Sequence, residues 1–575
     1  MVHMTRRAFV LSGASALTGL LAVARLAPLA QRSNTTEPPA TAAAAPVASA
    51  SPTAAVTPAA SAAAHVHVAE AAPPGTPTAT ATATAASPTT GTSAATSPAA
   101  TPTAAATVPN TGTLPIPPLL SPAPRDGVRT FELTLQRGQV AFEAGRPLAT
   151  FGINGPYLGP TLRATRGDEV AFVVANQLGA PTTLHWHGMH LPAAMDGGPH
   201  QAIASGATWQ PRYTIRQEAA TLWYHPHPMG STRAQVTGGA VGMFILDDDN
   251  PAQVALPHTY GVDDIPLILQ DYATVGSGLG DAQANENVQT GPMLVNGALV
   301  PTLATAQARL RLRLLNGSAQ RLLILGFAGD LPFAQVASDG GLLPAPARLT
   351  RLVLGSAERA EIVVDLADAP SDAPLALQTF GSAGNAGGGG GRGGGGGNGG
   401  AAGQGATLLT IQGPGLAAAR AANLPPLPAQ LNSIARLDPA AAAVTRTITL
   451  GGGGRGNTTI NGQQLTSMAQ MMDLTNAPRV RLGDVERWNI VNASNETHML
   501  HIHDIQFQIV ARGGTALEPG DLGGKDTVMV RPGETAALLM RFEDYADPET
   551  PYMFHCHILQ HEDEGMMAQF LVVPG

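Results

Sequence analysis

The residues with the clearest chemical potential lie near the C-terminus, around the single cysteine of the chain. Cys556 stands between His555 and His557, and His561 and Met566 follow shortly after. A lone cysteine cannot form an intramolecular disulfide, so its thiol is either a packing group or a chemical one. Thiolate, imidazole and thioether at short spacing form the soft ligand set that selects copper. Histidine motifs elsewhere in the chain favour the chemical interpretation.

Ten of the sixteen histidines fall in four short motifs. The motifs are His185-Trp186-His187-Gly188, Trp223-Tyr224-His225-Pro226-His227, His498-Met499-Leu500-His501-Ile502-His503, and the cysteine motif from His555 to Met566. In a strand, residues i and i+2 point to the same face, so each His-x-His pair presents two imidazoles to one place. Four such pairs supply eight imidazoles, which is too many for one ion and enough for a metal cluster.

The same alternation separates Cys556 from its two neighbours. The thiol points to one face of the strand, and His555 and His557 point to the other. Cys556 can therefore bind a mononuclear copper with the remaining histidines, His498 and His561, and with Met566 as a weak axial ligand. This is the composition of a blue-copper electron-transfer site. Isolated zinc sites need neither eight imidazoles nor a Cys/Met site, so zinc is excluded.

The elements that must position these residues repeat three times. Each unit has an Asn-Gly turn near its start, at residues 154–155, 296–297 and 461–462. An alternating segment that ends in asparagine follows each turn, at residues 162–176, 309–316 and 480–492. Each unit closes on an apolar strand, at residues 241–246, 407–411 and 569–573. This self-similarity predicts an all-β chain of three tandem β-sandwich domains.

Composition sets the boundaries of these units and argues against nucleic acid as a partner. Domain 1 is predicted at 119–250, domain 2 at 251–415 and domain 3 at 444–575, with an Ala/Pro-rich linker at 416–443. Residues 384–405 are almost pure glycine and predict a flexible surface loop in domain 2. The net charge is −9 and only 13% of the residues are charged, so no basic patch indicates nucleic-acid binding.

The N-terminus predicts export. Residues 1–30 contain Arg6-Arg7 before an apolar, small-residue stretch, which is typical of a twin-arginine signal. The stretch is too weak for a stable membrane span. Residues 31–118 are mostly Ala, Pro, Thr and Ser and predict a disordered spacer. We therefore expect a periplasmic, cell-surface or extracellular protein.

All four histidine motifs, in this order, resemble those of the multicopper oxidases, especially bacterial three-domain laccase-like and copper-efflux oxidases. The resemblance runs from about Pro124 to the C-terminus. It implies three cupredoxin-type Greek-key β-sandwiches, and four coppers per chain. It also implies an enzyme that couples one-electron oxidation of a reducing substrate to reduction of dioxygen to water.

Carried over by position, the resemblance implies a ligand for every copper. The type 1 copper would take His498, Cys556, His561 and Met566; the type 2 copper would take His185 and His501; the type 3 pair would take His187, His225, His227, His503, His555 and His557. Domain 2 would contribute no ligand. Asp196 and Glu562 lie where the family has acids beside the trinuclear site, and we expect them to relay protons and orient ligands.

The substrate is less well defined by the sequence. A reducing donor is expected at whichever type 1 histidine is exposed, His498 or His561. Glu496, two residues before His498, could accept a hydrogen bond from a phenol or arylamine, or could be an ordinary solvated carboxylate. The copper-efflux oxidases carry a long methionine-rich insertion that this chain lacks. The methionines at 468, 471 and 472 form only a small cluster, for which packing is the ordinary interpretation.

Three functions follow from these observations. The first is a laccase-like oxidase of phenols and similar donors, acting as a monomer. The second is a metallo-oxidase acting on Cu(I) or Mn(II). The third is non-catalytic, either an electron carrier or a structural exported protein, and eight cluster histidines argue against a carrier.

Overall fold

The computed structural model describes residues 112–575, apart from 273, 276–277, 280–290, 370, 383–404 and 454–455. The predicted signal (1–30), most of the predicted spacer (31–118) and nearly all of the glycine-rich loop (384–405) lie outside the described residues. Within them, no helix is both long enough and apolar enough to span a membrane.

Domain 1 is a sandwich of two sheets. Its elements are β1 Leu119–Leu120, β2 Val128–Glu143, β3 Arg146–Ile153, β4 Thr161–Thr165, β5 Glu169–Gln177, β6 His185–His187, β7 Thr208–Trp209, β8 Arg212–Thr214, β9 Thr221–His225, α1 Thr232–Thr237 and β10 Gly242–Asp247, with 3₁₀ helices Ala193–Met195 and Pro199–Gln201. One sheet has the order β1-β4-β10-β9-β6, and the other contains β3-β2-β5-β7 with β8 beside β5.

Domain 2 is built in the same way. Its elements are α2 Pro251–Ala255, β11 Asp264–Asp271, β12 Thr274–Val275, β13 Gly278–Leu279, β14 Met293–Val295, β15 Ala298–Leu299, β16 Thr302–Ala304, β17 Arg309–Asn316, β18 Leu323–Phe327, β19 Phe333–Ser338, β20 Gly341–Leu349, β21 Leu352–Leu354, β22 Arg359–Asp365, β23 Leu375–Ser382 and β24 Ala406–Gln412, with 3₁₀ helices Ala328–Asp330 and Leu366–Asp368. Its sheets have the orders β15-β14-β11-β17-β22-β19-β20 and β16-β24-β23-β18-β21, while β13 extends the domain 1 sheet by pairing with β3.

Domain 3 follows a connecting segment that contains α3 Leu416–Ala421 and a 3₁₀ helix, Pro439–Ala441. Its elements are β25 Val444–Gly451, β26 Thr459–Ile460, α4 Met468–Met471, β27 Arg479–Arg481, β28 Val485–Asn492, β29 His498–Ile502, β30 Gln508–Arg512, a 3₁₀ helix Pro519–Leu522, β31 Thr527–Val530, β32 Thr535–Arg541, β33 Asp547–Cys556, α5 Leu559–Asp563 and β34 Met567–Val573. The sheets have the orders β26-β25-β28-β32-β30 and β27-β34-β33-β29-β31.

The period-two alternation of the sequence corresponds to strands with one buried face. In β5, buried residues alternate with half-buried ones from Glu169 to Ala175, and the core positions are Val170, Phe172 and Val174. Residues 162–176 form two strands rather than one, because Gly167 adopts a left-handed backbone (φ 93°) where the chain turns from β4 in one sheet to β5 in the other.

The Asn-Gly turns are equivalent in all three domains. Asn154, Asn296 and Asn461 each have a left-handed backbone, with φ of 57°, 51° and 52°. The side-chain oxygen of each asparagine accepts a hydrogen bond from a backbone amide of a neighbouring strand, donated by Thr134, Ile268 and Thr449 respectively. Asparagine tolerates this conformation and pairs locally, which explains its recurrence at these turns.

The asparagine that ends each alternating segment is also equivalent. Asn176, Asn316 and Asn492 are buried, and each donates from its side-chain amide to two backbone carbonyls. For Asn492 these are the carbonyls of Glu496 and Val530, at 2.7 and 2.9 Å. The side chain therefore fixes the loop that leads into β29, because a buried amide without partners would be costly.

The last residues of the predicted disordered spacer are folded in the structure. Residues 112–118 are packed against the sandwich domains: the Leu114 amide donates to the Thr302 carbonyl at 2.9 Å, and the Leu114 side chain is buried. The Pro115 carbonyl accepts from Asn296. Composition cannot predict these pairings, because the partners Thr302 and Asn296 are far along the chain.

Candidate metal centre

Two strands of domain 1 place four of the histidines. In β6, His185 and His187 share one face, and Trp186 between them packs into the sandwich core. His185 lies opposite His225 of the antiparallel strand β9. His227 follows two residues later, and its backbone amide donates to the Thr183 hydroxyl at 2.7 Å.

Two strands of domain 3 place the others. His498 and Leu500 of β29 point into the core of the sandwich, where Cys556 and Met566 also lie. By alternation, His501 and His503 point to the outer face. Strand β33 runs antiparallel to β29, with His501 opposite His555. Alternation along β33 therefore sends Cys556 inward and His555 outward.

The outward-facing histidines of domain 3 meet those of domain 1. We call this the eight-histidine cluster; its members, each at most 1% exposed, are His185, His187, His225, His227, His501, His503, His555 and His557. The Nε2 atoms of His185 and His501 lie 3.4 Å apart, although the two residues are 316 positions apart in sequence. The Nε2 atoms of His227 and His555 lie 3.2 Å apart.

The nitrogens of the cluster form overlapping groups of three, and within each group they come within 4.8 Å of one another. These groups are His227, His503 and His555; His185, His501 and His503; and His185, His187 and His225. The His557 ring centroid lies 5.0 Å from that of His187 and 5.2 Å from that of His225.

Unpaired ring nitrogens show that the cluster suits a metal. The Nε2 atom of His503 and both ring nitrogens of His557 are buried without a protein hydrogen-bond partner. Burial, together with repulsion between neighbouring imidazoles, lowers the pKa of His501 and His557 well below the ordinary value. Neutral imidazoles with free lone pairs are good ligands for copper and poor proton carriers.

Two carboxylates lie against the outer nitrogens of the cluster. Asp196 accepts from Nδ1 of His503 at 2.7 Å, and its backbone carbonyl accepts from Nδ1 of His185 at 2.9 Å. The oxygens of Glu562 lie 3.1 Å from Nδ1 of His227 and 3.3 Å from Nδ1 of His555. Burial raises the pKa of Asp196, but attraction to His503 and His185 prevails and lowers it. Such contacts fix which nitrogen faces the metal.

A third carboxylate, Asp526, was missed by the sequence analysis. Its Oδ1 lies 3.1 Å from Nε2 of His187, and its backbone carbonyl accepts from Nδ1 of His501 at 2.9 Å. Arg359 of domain 2 donates to both oxygens of Asp526, at 2.7 and 2.5 Å, and both side chains are fully buried. Domain 2, predicted to supply no ligand, thus reaches the cluster through an ion pair. The only sequence signal was the charged Lys525-Asp526 step before an apolar strand.

The Cys556 site, comprising Cys556, His498, His561 and Met566, lies on the inner side of β33. The Cys556 Sγ atom lies 3.5 Å from Nδ1 of His498 and 3.6 Å from Nδ1 of His561. Met566 is fully buried in the same core, and its carbonyl accepts from the Cys556 amide at 3.0 Å. Burial raises the pKa of the Cys556 thiol to about 12, so a thiolate here requires a bound cation, which a metal supplies.

The structure distinguishes the two histidines of this site. His498 is fully buried, and its Nε2 pairs with the Ser494 hydroxyl at 2.8 Å. The His561 side chain is 14% exposed, and its Nε2 lies 3.5 Å from a carboxylate oxygen of Glu496, which is 31% exposed. His561 is therefore the edge of the site that a molecule in solution can approach.

Comparison with known proteins agrees with this geometry. Two multicopper oxidase family models match residues 134–251 and 439–575. The multicopper oxidase mco of Staphylococcus aureus is 32% identical over 453 residues, covering 78% of this chain and 89% of the relative. The cell division protein FtsP of Xenorhabdus nematophila is 32% identical over 466 residues, covering 80% and 92%.

A solved structure shows the same fold. The laccase of Pediococcus acidilactici superposes with a TM-score of 0.68 at 30% identity, covering 80% of this chain and 93% of the laccase. The prediction of three cupredoxin-type sandwiches is thereby confirmed. The chain belongs to the multicopper oxidases: it is a copper-dependent oxidoreductase that passes electrons from a reducing substrate to dioxygen.

Proposed function

We propose that the two sites together hold four coppers and oxidise phenolic donors. The Cys556 site would hold the type 1 copper, and the pair His185 and His501 the type 2 copper. The type 3 pair would take His187, His225, His227, His503, His555 and His557. The observation that carries this proposal is the convergence of eight buried imidazoles, from two domains, directly behind Cys556. When bound, copper would supply one-electron oxidation at the Cys556 site and reduction of dioxygen to water at the cluster.

The backbone around Cys556 connects the two sites. Cys556 faces one site, and its neighbours His555 and His557 face the other, so only a few covalent bonds separate them. The test of the whole proposal is copper quantitation followed by oxygen uptake. We expect about four coppers per chain, the number that the implied ligand sets require, and uptake with a phenol under air. Full copper loading without phenol-dependent uptake would refute the laccase-like assignment.

Asp196 and Glu562 are proposed to supply protons as well as orientation. Both are buried acids in contact with cluster imidazoles, which places each to relay a proton toward the cluster. In Asp196→Asn and Glu562→Gln, we expect slow reoxidation of the donor-reduced protein by oxygen. Anaerobic bleaching of the blue colour by the donor should remain fast, because the Cys556 site is unchanged. Equal slowing of both reactions would contradict a proton role.

The donor is proposed to bind at the exposed edge of His561, beside Glu496. A phenol that loses an electron also loses a proton, and the Glu496 carboxylate is placed to accept a hydrogen bond from its hydroxyl. In Glu496→Gln, we expect a higher KM and lower kcat for a phenol, and little change for a ferrocene donor that carries no proton. Glu564→Gln is the matched control, because it removes the same charge near His561. Equal effects of both variants on the phenol would remove Glu496 from the donor site.

A metallo-oxidase remains the second candidate because of two surface methionines. Met468 and Met472 are 44% and 68% exposed, so their thioethers are open to solvent. Thioethers bind Cu(I). If Cu(I) is the substrate, Met468→Leu/Met472→Leu should slow Cu(I) oxidation and spare phenol oxidation. A direct comparison of phenol, bilirubin, Cu(I) and Mn(II) under air ranks the candidates.

A non-catalytic role is the third candidate, because the cell division protein FtsP is among the relatives. The complete ligand set favours catalysis, and absence of bound copper in the purified protein would favour the structural role. Export by the twin-arginine route and a monomeric state are proposed from the sequence. Arg6→Lys/Arg7→Lys should abolish export, and sedimentation should give the mass of one chain.

A further inference from the structure

Four methionines from separate segments form a small cluster at the boundary of domains 1 and 3. This methionine cluster consists of Met229, Met471, Met553 and Met567, with Leu465 at its side. Met471, Met553 and Met567 are at most 2% exposed. The adjoining core of domain 3 is built mainly of isoleucine, leucine, valine and phenylalanine, so thioethers are concentrated at this boundary.

The methionine cluster borders the eight-histidine cluster. Met553 precedes His555 by two residues on β33, and Met567 of β34 lies opposite His555. Met229 follows His227 by two residues, and His227 and His555 face each other at 3.2 Å. A Cβ atom on Gly198 would lie 3.7 Å from the Met553 sulfur and 3.6 Å from an Asp196 oxygen, so the glycine leaves the space between them open.

The other side of the methionine cluster reaches the surface. Met471 is fully buried at the end of α4, while Met468 on the same helix and Met472 just after it are exposed. The helix is anchored by Ser467, whose hydroxyl accepts from the Gln470 amide at 3.3 Å. The thioethers of this one short segment therefore extend from solvent into the protein interior.

Copper must pass through the protein to reach the eight-histidine cluster. Each of its imidazoles is at most 1% exposed, so solvent cannot deliver copper to it directly. Thioethers bind Cu(I) and have no proton to lose, and the buried imidazoles are neutral ligands. Passage of Cu(I) from thioether to thioether and then to imidazole is ligand exchange alone, and it consumes neither protons nor electrons.

We propose that the methionine cluster is a Cu(I) transfer site that loads the eight-histidine cluster. The proposal rests on the proposed function, because it takes the eight histidines as copper ligands. It assigns the buried methionines to cofactor insertion rather than to substrate oxidation at the Cys556 site. The two roles differ in their position, because Met553 and Met567 lie on the outer side of β33 and β34 and Cys556 lies on the inner side.

Loading kinetics test the proposal. Copper is removed from the full chain, and Cu(I) is added back without oxygen while bound copper is counted over time. In Met471→Leu/Met553→Leu, which nearly conserves volume, we expect loading to slow by roughly tenfold, a loss of about 1.4 kcal/mol in the transition state. Met293→Leu/Met540→Leu is the matched control, since both residues are buried elsewhere. Cu(II), which thioethers bind less favourably, should load at the same rate in both double variants.

Equal Cu(I) loading rates in the two double variants would overturn the proposal. A wild-type chain that takes up no copper would instead refute the proposed function, so the two failures are distinguishable. A second measurement does not depend on the variants folding. Ag(I), a redox-inert stand-in for Cu(I), should bind the copper-loaded wild-type protein with sulfur neighbours in X-ray absorption. Absence of such sulfur-bound Ag(I) would also overturn the proposal.

Discussion

Removal of the Arg359 side chain should disturb the eight-histidine cluster, although Arg359 belongs to domain 2, which is predicted to contribute no ligand. Arg359 and Asp526 are both fully buried and joined by two hydrogen bonds of 2.7 and 2.5 Å. In Arg359→Met the stem is kept and the charge is lost, which leaves the Asp526 carboxylate buried beside His187 without its cation. Breaking a buried ion pair in this way costs about 3–5 kcal/mol.

The effect on the metal centre follows from what Asp526 holds. Its carboxylate fixes Nε2 of His187, and its backbone carbonyl fixes Nδ1 of His501. Loss of such a supporting contact typically reduces metal affinity or activity by about 10- to 100-fold. The blue absorption of the Cys556 site should persist, because Cys556 lies on the other side of β33.

The assay combines denaturant unfolding, copper quantitation and electron paramagnetic resonance of the type 2 copper. Arg313→Met is the matched control. Arg313 is also buried and pairs with both oxygens of Asp264, at 2.7 and 2.9 Å, and its other hydrogen bonds go to Thr221 and Glu361 rather than to cluster histidines. Both variants should lose stability, and only Arg359→Met should lose copper or change the type 2 signal. A folded Arg359→Met protein with full copper and an unchanged signal would refute the reasoning.

Cys556→Ser should bleach the blue colour and stop oxidation of organic donors while the eight histidines still bind copper; full activity would contradict the site. Asn492→Ala should lower the free energy of unfolding in urea by about 1–3 kcal/mol for each buried group left unpaired, and an unchanged midpoint would contradict it. Burial raises the pKa of Glu361, but Arg311 and Arg313 prevail and lower it to about 2; its stabilisation is therefore present above the unfolded value of about 4.3 and lost as pH falls toward 2. Glu361→Gln should shrink the difference in unfolding midpoint between neutral and acidic pH, and an undiminished difference would contradict this. Copper removal should lower the thermal unfolding temperature and copper addition should restore it, because the ion binds only the folded chain; equal temperatures would argue against a preformed site.

Much of the site was predictable because it depends on local periodicity. The spacing His185-x-His187 and the sequence His555-Cys556-His557 fix which side chains share a face once the segments are strands. Strand formation follows in turn from alternation and from turn residues such as Asn461. These are short-range effects. The structure has this alternation within β6, β29 and β33, whereas His227, His503 and His557 lie just beyond the ends of their strands.

The carboxylates were only partly predictable. Asp196 and Glu562 lie within or near histidine motifs, so their positions could be inferred by resemblance. Asp526 belongs to no motif, and its partner Arg359 is 167 residues away in another domain. Nothing local to either residue indicates the other, because their pairing depends on how domains 2 and 3 pack.

The sequence by itself determined the candidate ligand types, because these follow from residue identity. It also determined the strands that carry them and the separation of Cys556 from its histidine neighbours, because a two-residue period dictates which side chains share a face. Only the tertiary structure decided which histidine of the Cys556 site meets solvent. Ser494 and the surrounding core bury His498, whereas His561 lies at the surface beside Glu496. Tertiary structure also decided that imidazoles 316 residues apart meet and that an arginine of domain 2 supports them. Contacts of this kind arise from domain packing, which local patterns do not encode.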